Sequence, residues 1–215
     1  MAPTEKDDIV SEPARFTEDE RVLIADKEFF RRKIEVSGKI RAAFTELRKE
    51  LLGHMKPERY LAPQGVDFTE GKLSGGEKHY DLPYLFLDFP RRFSREFIFA
   101  YRSIFWWGHH FLFTLILSGE HLSEYQSRAF AGWDSLAGRD DWIAVTPDPF
   151  EWRRGEEFFR PIRPGGPGGL EDTLRQLPFL KLTHFVPFDD PRVGDGRLVR
   201  TGFETFRDWE FVISR

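Results

Sequence analysis

Residues 80–119 read YDLPYLFLDFPRRFSREFIFAYRSIFWWGHHFLFTLILSG and contain a large share of the chain's phenylalanine, tryptophan and isoleucine. We interpret this segment as the interior of the fold, because apolar and aromatic side chains at this density favour burial. Two strands are predicted in it, at 82–89 and 105–117, with a short helix at 94–103 between them.

The strand predicted at 105–117 has two different faces, because successive side chains of a strand point to opposite sides. One face is almost wholly apolar. The other face interleaves polar and small residues with apolar ones, and its members are Trp106, Gly108, His110, Leu112, Thr114 and Ile116. A glycine in such a position predicts a groove or a closely approaching backbone.

These faces supply the candidate site residues. The predicted catalytic candidates are His110, Asp88 and Tyr84, and the predicted binding candidates are Gly108, Thr114 and His184. Asp88 is the only charge on the strand at 82–89 and shares a face with Tyr84. Each candidate also has a structural interpretation: Asp88 could pair with Arg91 or Arg92, and a lone strand histidine usually bonds to a backbone group.

Composition limits the classes of function. The 215 residues carry a formal net charge of −4, which gives no electrostatic reason to bind nucleic acid. The chain has no cysteine, and its six histidines lack the spacing of a metal motif, so neither a metal nor a cofactor is predicted. The polar start of the sequence lacks a secretion signal, which predicts a cytoplasmic protein.

Several familiar motifs fail a check of their spacing. Gly65 and Gly71 enclose five residues where a P-loop needs four, and Leu73 stands where a magnesium-binding Ser or Thr is required. The G-x-S-x-G elbow of serine hydrolases is missing from the sequence. The apolar segment 97–117 is long enough to cross a bilayer, but Arg102 interrupts it, so no membrane span is predicted.

The N-terminal part predicts a helical arm. Thr17 and Glu20 form a capping box, Asp26 provides a second cap, and an apolar stripe at helical spacing continues over residues 27–52. Most of this long helix should pack on the domain, and the alternative is that part of it forms a dimer contact.

The whole chain predicts an α+β fold with a long N-terminal helix followed by a mixed, mainly antiparallel sheet of about five strands and packed helices. The predicted organisation is a disordered tail at 1–15, a helical arm at 16–56 and an α+β domain at 57–215. Further strands are predicted at 141–146, 179–188 and 209–213, and further helices at 120–133 and 170–177.

The run LPYLFLDFPRRFSREFIFAYRSIFWWG at 82–108 resembles uncharacterised bacterial proteins that share an LPY-x-x-LDYPR-x-F…FWWG core. The resemblance covers about residues 70–120, with the N-terminal helix as a further candidate region. It implies a bacterial, cytoplasmic protein and implies no particular activity or site.

Two functions follow as hypotheses. The first is a non-enzymatic binding or interaction protein that forms a small homo-oligomer, because the chain has no complete catalytic motif and is rich in the aromatic residues that interfaces favour. The second is a small hydrolase-type enzyme with a His/Asp cleft beside the central strand. An enzyme predicts a histidine and a carboxylate within hydrogen-bond reach in a concave site.

Overall fold

The computed structural model describes residues 15–215. The chain divides into two compact units, with the boundary after Gly38. The tail predicted to be disordered lies, apart from residue 15, outside the described residues.

The caps predicted for the N-terminal helices are confirmed. The Thr17 N–H donates to Glu20 Oε2 at 2.7 Å, and the Glu20 N–H donates to Thr17 Oγ1 at 3.3 Å, which is the reciprocal pattern of a capping box. Asp26 Oδ1 accepts the N–H of Phe29 at 2.9 Å. One helix therefore ends at Ala25 and the next begins at Lys27.

The helices of the described residues are α1 (Glu18–Ala25), α2 (Lys27–His54), α3 (Leu122–Ala131), α4 (Trp133–Leu136), α5 (Glu171–Gln176), α6 (Pro191–Gly194) and α7 (Leu198–Trp209). Short 3-10 turns occur at Pro57–Arg59, Ala137–Arg139, Gly168–Leu170 and Glu210–Val212. The strands are β1 (Lys72–His79), β2 (Leu82–Phe93), β3 (Ile98–Trp106), β4 (His110–Ser118), β5 (Asp141–Ala144), β6 (Phe159–Pro161) and β7 (Phe179–Pro187).

The strands form one sheet in the order β1-β2-β3-β4-β7-β5-β6, and all neighbours are antiparallel. The predicted α+β class is confirmed, although the sheet has seven strands where about five were predicted. The additional strands are short or glycine-containing: β6 has three residues, and β1 carries Gly75 and Gly76.

The helix predicted at 94–103 is wrong, because β3 occupies most of that segment. Phe97, Ala100, Tyr101 and Ile104 recur at helical spacing, but both faces of β3 are covered, and its sequence is therefore apolar except at Arg102 and Ser103. Ser94 does not begin a helix. Its Oγ accepts the N–H of Phe97 at 3.1 Å and closes the turn between β2 and β3.

The prediction of a single strand at 105–117 is also wrong, because these residues form the turn and second strand of a hairpin. Gly108 adopts φ +73°, a conformation that favours glycine, and the turn around it connects β3 to β4. Trp106 and His110 are directly opposite each other across the hairpin. For this reason His110 and Thr114 still lie on the face that carries Trp106, whereas Gly108 lies in the turn.

The terminal strand predicted at 209–213 is helical, because α7 continues to Trp209 and a 3-10 turn follows it. The α7 helix packs closely on one face of the sheet. A Cβ atom at Gly202 would lie 2.5 Å from the Phe113 ring and 2.8 Å from the Leu47 side chain. The Tyr101 hydroxyl donates to the Gly202 carbonyl at 2.6 Å, so we call this side the helix-covered face.

The opposite side of the sheet is covered by the segment 145–158, and we call it the loop-covered face. Lys181 points to this side, and its Nζ donates to the carbonyl oxygens of Pro149 at 3.0 Å and Glu151 at 2.5 Å. The loop-covered face is rich in aromatic side chains, among them Trp106 and Trp152. The aromatic core inferred from the sequence is thus divided between two layers.

Among residues 15–215, no helix has the length and apolar character needed to cross a membrane.

Candidate functional site

A cavity of about 430 Å³ opens on the helix-covered face, where the end of β7 meets the helices that follow it. This volume lies in the range of small-molecule sites. Four arginines and one histidine contribute to its walls, which are formed by Arg139, His184, Arg192, Arg197, Arg200, Thr201, Glu204 and Thr205.

A buried histidine–carboxylate pair forms the inner wall. His184 Nδ1 lies 2.8 Å from Asp141 Oδ1, and Trp209 Nε1 donates to Asp141 Oδ2 at 2.7 Å. An ionised carboxylate only accepts hydrogen bonds, so His184 Nδ1 carries the hydrogen. In the neutral ring, Nε2 is then the acceptor.

The backbone explains why these groups meet. Asp141 begins β5 and is paired directly with His184 of β7, and both side chains point to the helix-covered face. Trp209, at the end of α7, completes the hydrogen bonds of the carboxylate. The pair is therefore supported by a strand register and a packed helix.

Arg192 connects this pair to the cavity. Its Nη1 lies 3.1 Å from His184 Nε2 and donates to it. Its Nε and Nη2 donate to the two oxygens of Asp190 at 2.8 and 2.6 Å, and Asp190 also accepts the Arg192 N–H. The Arg192 guanidinium lowers the pKa of Asp190 to about 2, so this carboxylate stays ionised and holds Arg192 in one orientation.

The other three arginines retain free donors. Arg197 Nε lies 2.6 Å from Asp195, Arg200 Nε lies 2.8 Å from Glu204, and Arg139 Nε lies 2.6 Å from Asp208. A guanidinium has five N–H groups, of which four belong to the terminal nitrogens. Within residues 15–215 those terminal nitrogens make no hydrogen bond, so they can bind an oxygen-rich ligand.

The three catalytic candidates from the sequence lie on the loop-covered face, away from His184. The Asp88 carboxylate is bonded to Arg102, which is its partner in place of the expected Arg91 or Arg92. His110 Nε2 lies 3.1 Å from the Trp152 carbonyl oxygen. Tyr84 packs on the Trp152 ring, with the ring centres 5.0 Å apart.

Burial lowers the pKa of His110 to about 4, which keeps the ring neutral at physiological pH. A neutral His110 donates its Nε2–H to the Trp152 carbonyl, which is the structural interpretation of a lone strand histidine. His110 also borders a second cavity of about 330 Å³, whose walls are His109, His110, Arg153, Arg154, Glu157 and Phe158.

Of the three binding candidates, only His184 contributes to the arginine-rich cavity. Gly108 lies in the exposed turn between β3 and β4. Thr114 is buried, and its Oγ1 donates to the Leu182 carbonyl at 2.8 Å and lies 3.1 Å from Thr183 Oγ1. Its polar group is therefore satisfied inside the sheet.

Sequence reasoning missed Asp141 and the arginines. Asp141 begins the strand predicted at 141–146 but was not among the candidate site residues, and it is buried as the first residue of β5. The signal that could have found the site is the recurrence of arginine at 192, 197 and 200, directly after a strand that carries a histidine on an apolar face. The pairing of β5 with β7 cannot be obtained from that pattern.

Within residues 15–215, no group of three or more His, Asp and Glu side chains is arranged to hold a metal ion. The resemblance to bacterial proteins with the LPY…FWWG core stays a prediction. No protein-family model, no curated protein and no solved structure matches this chain at a significant level.

Proposed function

We propose that the protein binds a small, multiply charged anion of the phosphate or carboxylate class in the cavity beside His184. The observation that carries this proposal is the convergence of four arginines on a cavity of about 430 Å³. Arginine matches carboxylate and phosphate oxygens with two parallel N–H donors, which makes it the preferred residue for such ligands.

Each arginine of the cavity already faces one acid, so the site is close to neutral and does not need a ligand to fold. An anion is therefore bound through directed hydrogen bonds and not through a large net charge. A ligand adds hydrogen bonds to the terminal nitrogens of Arg139, Arg197 and Arg200. Hydrogen bonds to charged groups contribute about 1.5–3 kcal/mol each when they are sheltered, and less when they are exposed.

His184 gives the site a further hydrogen-bonding group. Arg192 Nη1 donates to its Nε2. A ligand oxygen that attracts Arg192 frees Nε2, which then accepts a hydrogen bond from a protonated ligand oxygen or from water. The Asp141 carboxylate accepts from Nδ1 behind the ring and fixes the orientation of Nε2 at the cavity wall.

Calorimetric titration with pyrophosphate and with citrate tests the binding proposal. Arg200→Gln should weaken binding about threefold to tenfold, which corresponds to the loss of one exposed charge-assisted contact. Arg175→Gln is the matched control, because Arg175 also pairs with an acid four residues away on a helix but lies outside the cavity. The proposal fails if neither anion binds, or if Arg175→Gln weakens binding as much as Arg200→Gln.

The second candidate is a hydrolase, and the observation that favours it is the Asp141–His184 contact at 2.8 Å. A histidine oriented by a buried carboxylate can act as a general base toward water. Turnover of p-nitrophenyl phosphate or p-nitrophenyl acetate, lost in His184→Gln while anion binding persists, would support the hydrolase. If the chain binds the anion but turns over neither ester, the hydrolase is excluded and the binding-protein proposal stands.

The setting we propose for this binding protein is the bacterial cytoplasm. The absence of cysteine from all 215 residues agrees with a reducing compartment, where disulfides are rare. The resemblance at 82–108 suggests the bacterial origin. Fractionation of cells that produce the chain, with the protein recovered in the membrane pellet or outside the cell, would contradict this setting.

A further inference from the structure

We propose that residues 16–34 form a self-association surface through which two copies of the chain pair in an antiparallel arrangement. The inference does not depend on the anion cavity and concerns only the first compact unit.

Exposed apolar side chains are concentrated in this segment. Of the eleven exposed large apolar residues in 15–215, seven lie between 16 and 34: Phe16, Val22, Leu23, Ile24, Phe29, Phe30 and Ile34. Their exposed fractions range from 43% for Phe30 to 72% for Ile34. Exposed apolar side chains concentrated in one segment in this way mark an interaction site.

The charges of the same segment are divided between its two helices. Residues 18–26 carry four acidic side chains and one arginine, whereas residues 27–34 carry four basic side chains and one glutamate. The net charges are therefore −3 and +3. Opposite charges that flank apolar residues favour pairing of the acidic part of one surface with the basic part of another.

The acidic part at 18–26 and the basic part at 27–34 cannot fold against each other within one chain. α1 ends at Ala25 and α2 begins at Lys27, so Asp26 alone connects them. Two helices that fold back on each other need a connection of about two to five residues. The complementary partner of α1 is therefore the N-terminal part of α2 in a second copy.

A two-fold axis near Asp26 gives both copies the same complementary contacts. It brings α1 of each copy against residues 27–34 of the other, and the apolar side chains between them are covered. Such an interface uses the same surface on both subunits, which is the commonest arrangement of homodimers. It also agrees with the dimer contact that the sequence suggests for part of the long helix.

An anionic membrane is the competing occupant. The basic side chains of 27–34 and the neighbouring phenylalanines would suit a lipid surface. The acidic residues of 18–26, which surround Val22, Leu23 and Ile24, would be repelled by anionic headgroups. A second copy uses both charge signs, and we therefore favour it.

Sedimentation velocity of the full chain is the first test. We expect a species of twice the 25.3 kDa chain mass at micromolar concentrations. The pair of changes Phe30→Ser and Ile34→Ser should raise the dissociation constant at least tenfold. Leu52→Ser is the matched control, because Leu52 is an exposed leucine of the same helix outside the surface, and it should leave association unchanged.

Charge reversal provides the sharper test. One variant carries Glu18→Lys with Asp19→Lys, and the other carries Arg31→Glu with Arg32→Glu. Each variant alone should be monomeric, because like charges then face each other in both contacts of the dimer. An equimolar mixture should recover the heterodimer, because the reversed α1 of one variant meets the reversed α2 of the other.

Three outcomes would overturn the proposal. They are a wild-type chain that stays monomeric, a mixture of the reversed variants that stays monomeric while circular dichroism shows both to be folded, and association that the Leu52→Ser control also loses. Monomeric chain that binds phosphatidylserine vesicles, with binding lost in the Arg31→Glu and Arg32→Glu variant, would identify the lipid surface as the occupant.

Discussion

Arg102 holds the carboxylate of Asp88 across two neighbouring strands, with Nε 2.5 Å from Oδ1 and Nη2 2.9 Å from Oδ2. Asp88 is 2% exposed, and the guanidinium lies 4.8 Å from the centre of the Phe93 ring and 4.9 Å from that of Phe86. The pair is therefore a two-point contact enclosed by aromatic rings.

Removing one partner of this ion pair should be strongly destabilising. Arg102→Met leaves the Asp88 carboxylate buried without its counter-charge, and we expect a loss of about 3–5 kcal/mol in the free energy of unfolding. Urea denaturation measures it. The double variant with Asp88→Leu removes the isolated charge as well and should lose clearly less than Arg102→Met. A double variant that is less stable than Arg102→Met would contradict this assignment.

Trp106 should contribute more to the stability of the fold than the adjacent Trp107. Its ring is fully buried, and its Nε1 donates to the His79 carbonyl at 3.1 Å. Trp106→Ala should lower the free energy of unfolding by about 3–5 kcal/mol. Trp107, which lies partly exposed at the turn, is the control, and Trp107→Ala should cost less than about 1 kcal/mol. Equal melting temperatures for Trp106→Ala and the wild type would exclude the buried placement.

Lys181 should make stability rise with pH above neutrality. Burial, together with the nearby charge of Arg102, lowers its pKa from 10.5 to about 7. Between these two pH values the unfolded chain binds more protons than the folded chain, so the free energy of unfolding increases with pH. Lys181→Met lacks this contribution, and the wild type should gain stability relative to it from about pH 7 to pH 10.

The control for this measurement is Lys49→Met, which removes an exposed lysine on α2. Its stability should follow the wild-type curve over the same pH range. A constant difference between Lys181→Met and the wild type would mean that Lys181 keeps an ordinary pKa.

His110 should make the fold sensitive to acid. Its pKa is about 4 in the folded chain and 6.5 as the ordinary value. The unfolded chain binds more protons between these values, so stability is lost as the pH falls from 6.5 toward 4. His110→Phe should show a weaker loss over this window in urea denaturation. Parallel curves for the variant and the wild type would show that folding does not change the pKa of His110, which would contradict the prediction.

The sequence predicted elements best where the signal was local. The Thr17–Glu20 capping box and the second cap at Asp26 depend on residues three positions apart, and both formed as predicted. The prediction for β3 failed because a strand covered on both faces is apolar at most positions, so its apolar residues satisfy a helical period as well as an alternating one.

The candidate site depends on contacts between distant residues, which explains why most of it was missed. His184 was identified because a histidine on an apolar strand face stands out. Its partner Asp141 lies 43 positions away, and Trp209, which donates to Asp141, lies 68 positions from that carboxylate. Only the sheet order and the packing of α7 bring the three residues together. Asp88, His110 and Tyr84 share a face, yet Asp88 pairs with Arg102, whereas His110 and Tyr84 both contact Trp152.

The position of β7 in the sheet has a consequence for biosynthesis. β7 lies between β4 and β5, although it is the last strand to leave the ribosome. A nascent chain that ends before Phe179 can complete the hairpins of β1–β4, but its β5 has no neighbour to join it to them. The contact between Asp141 and His184 belongs to this final insertion, so translation that stops early yields a chain with an intact meander and no arginine-rich cavity.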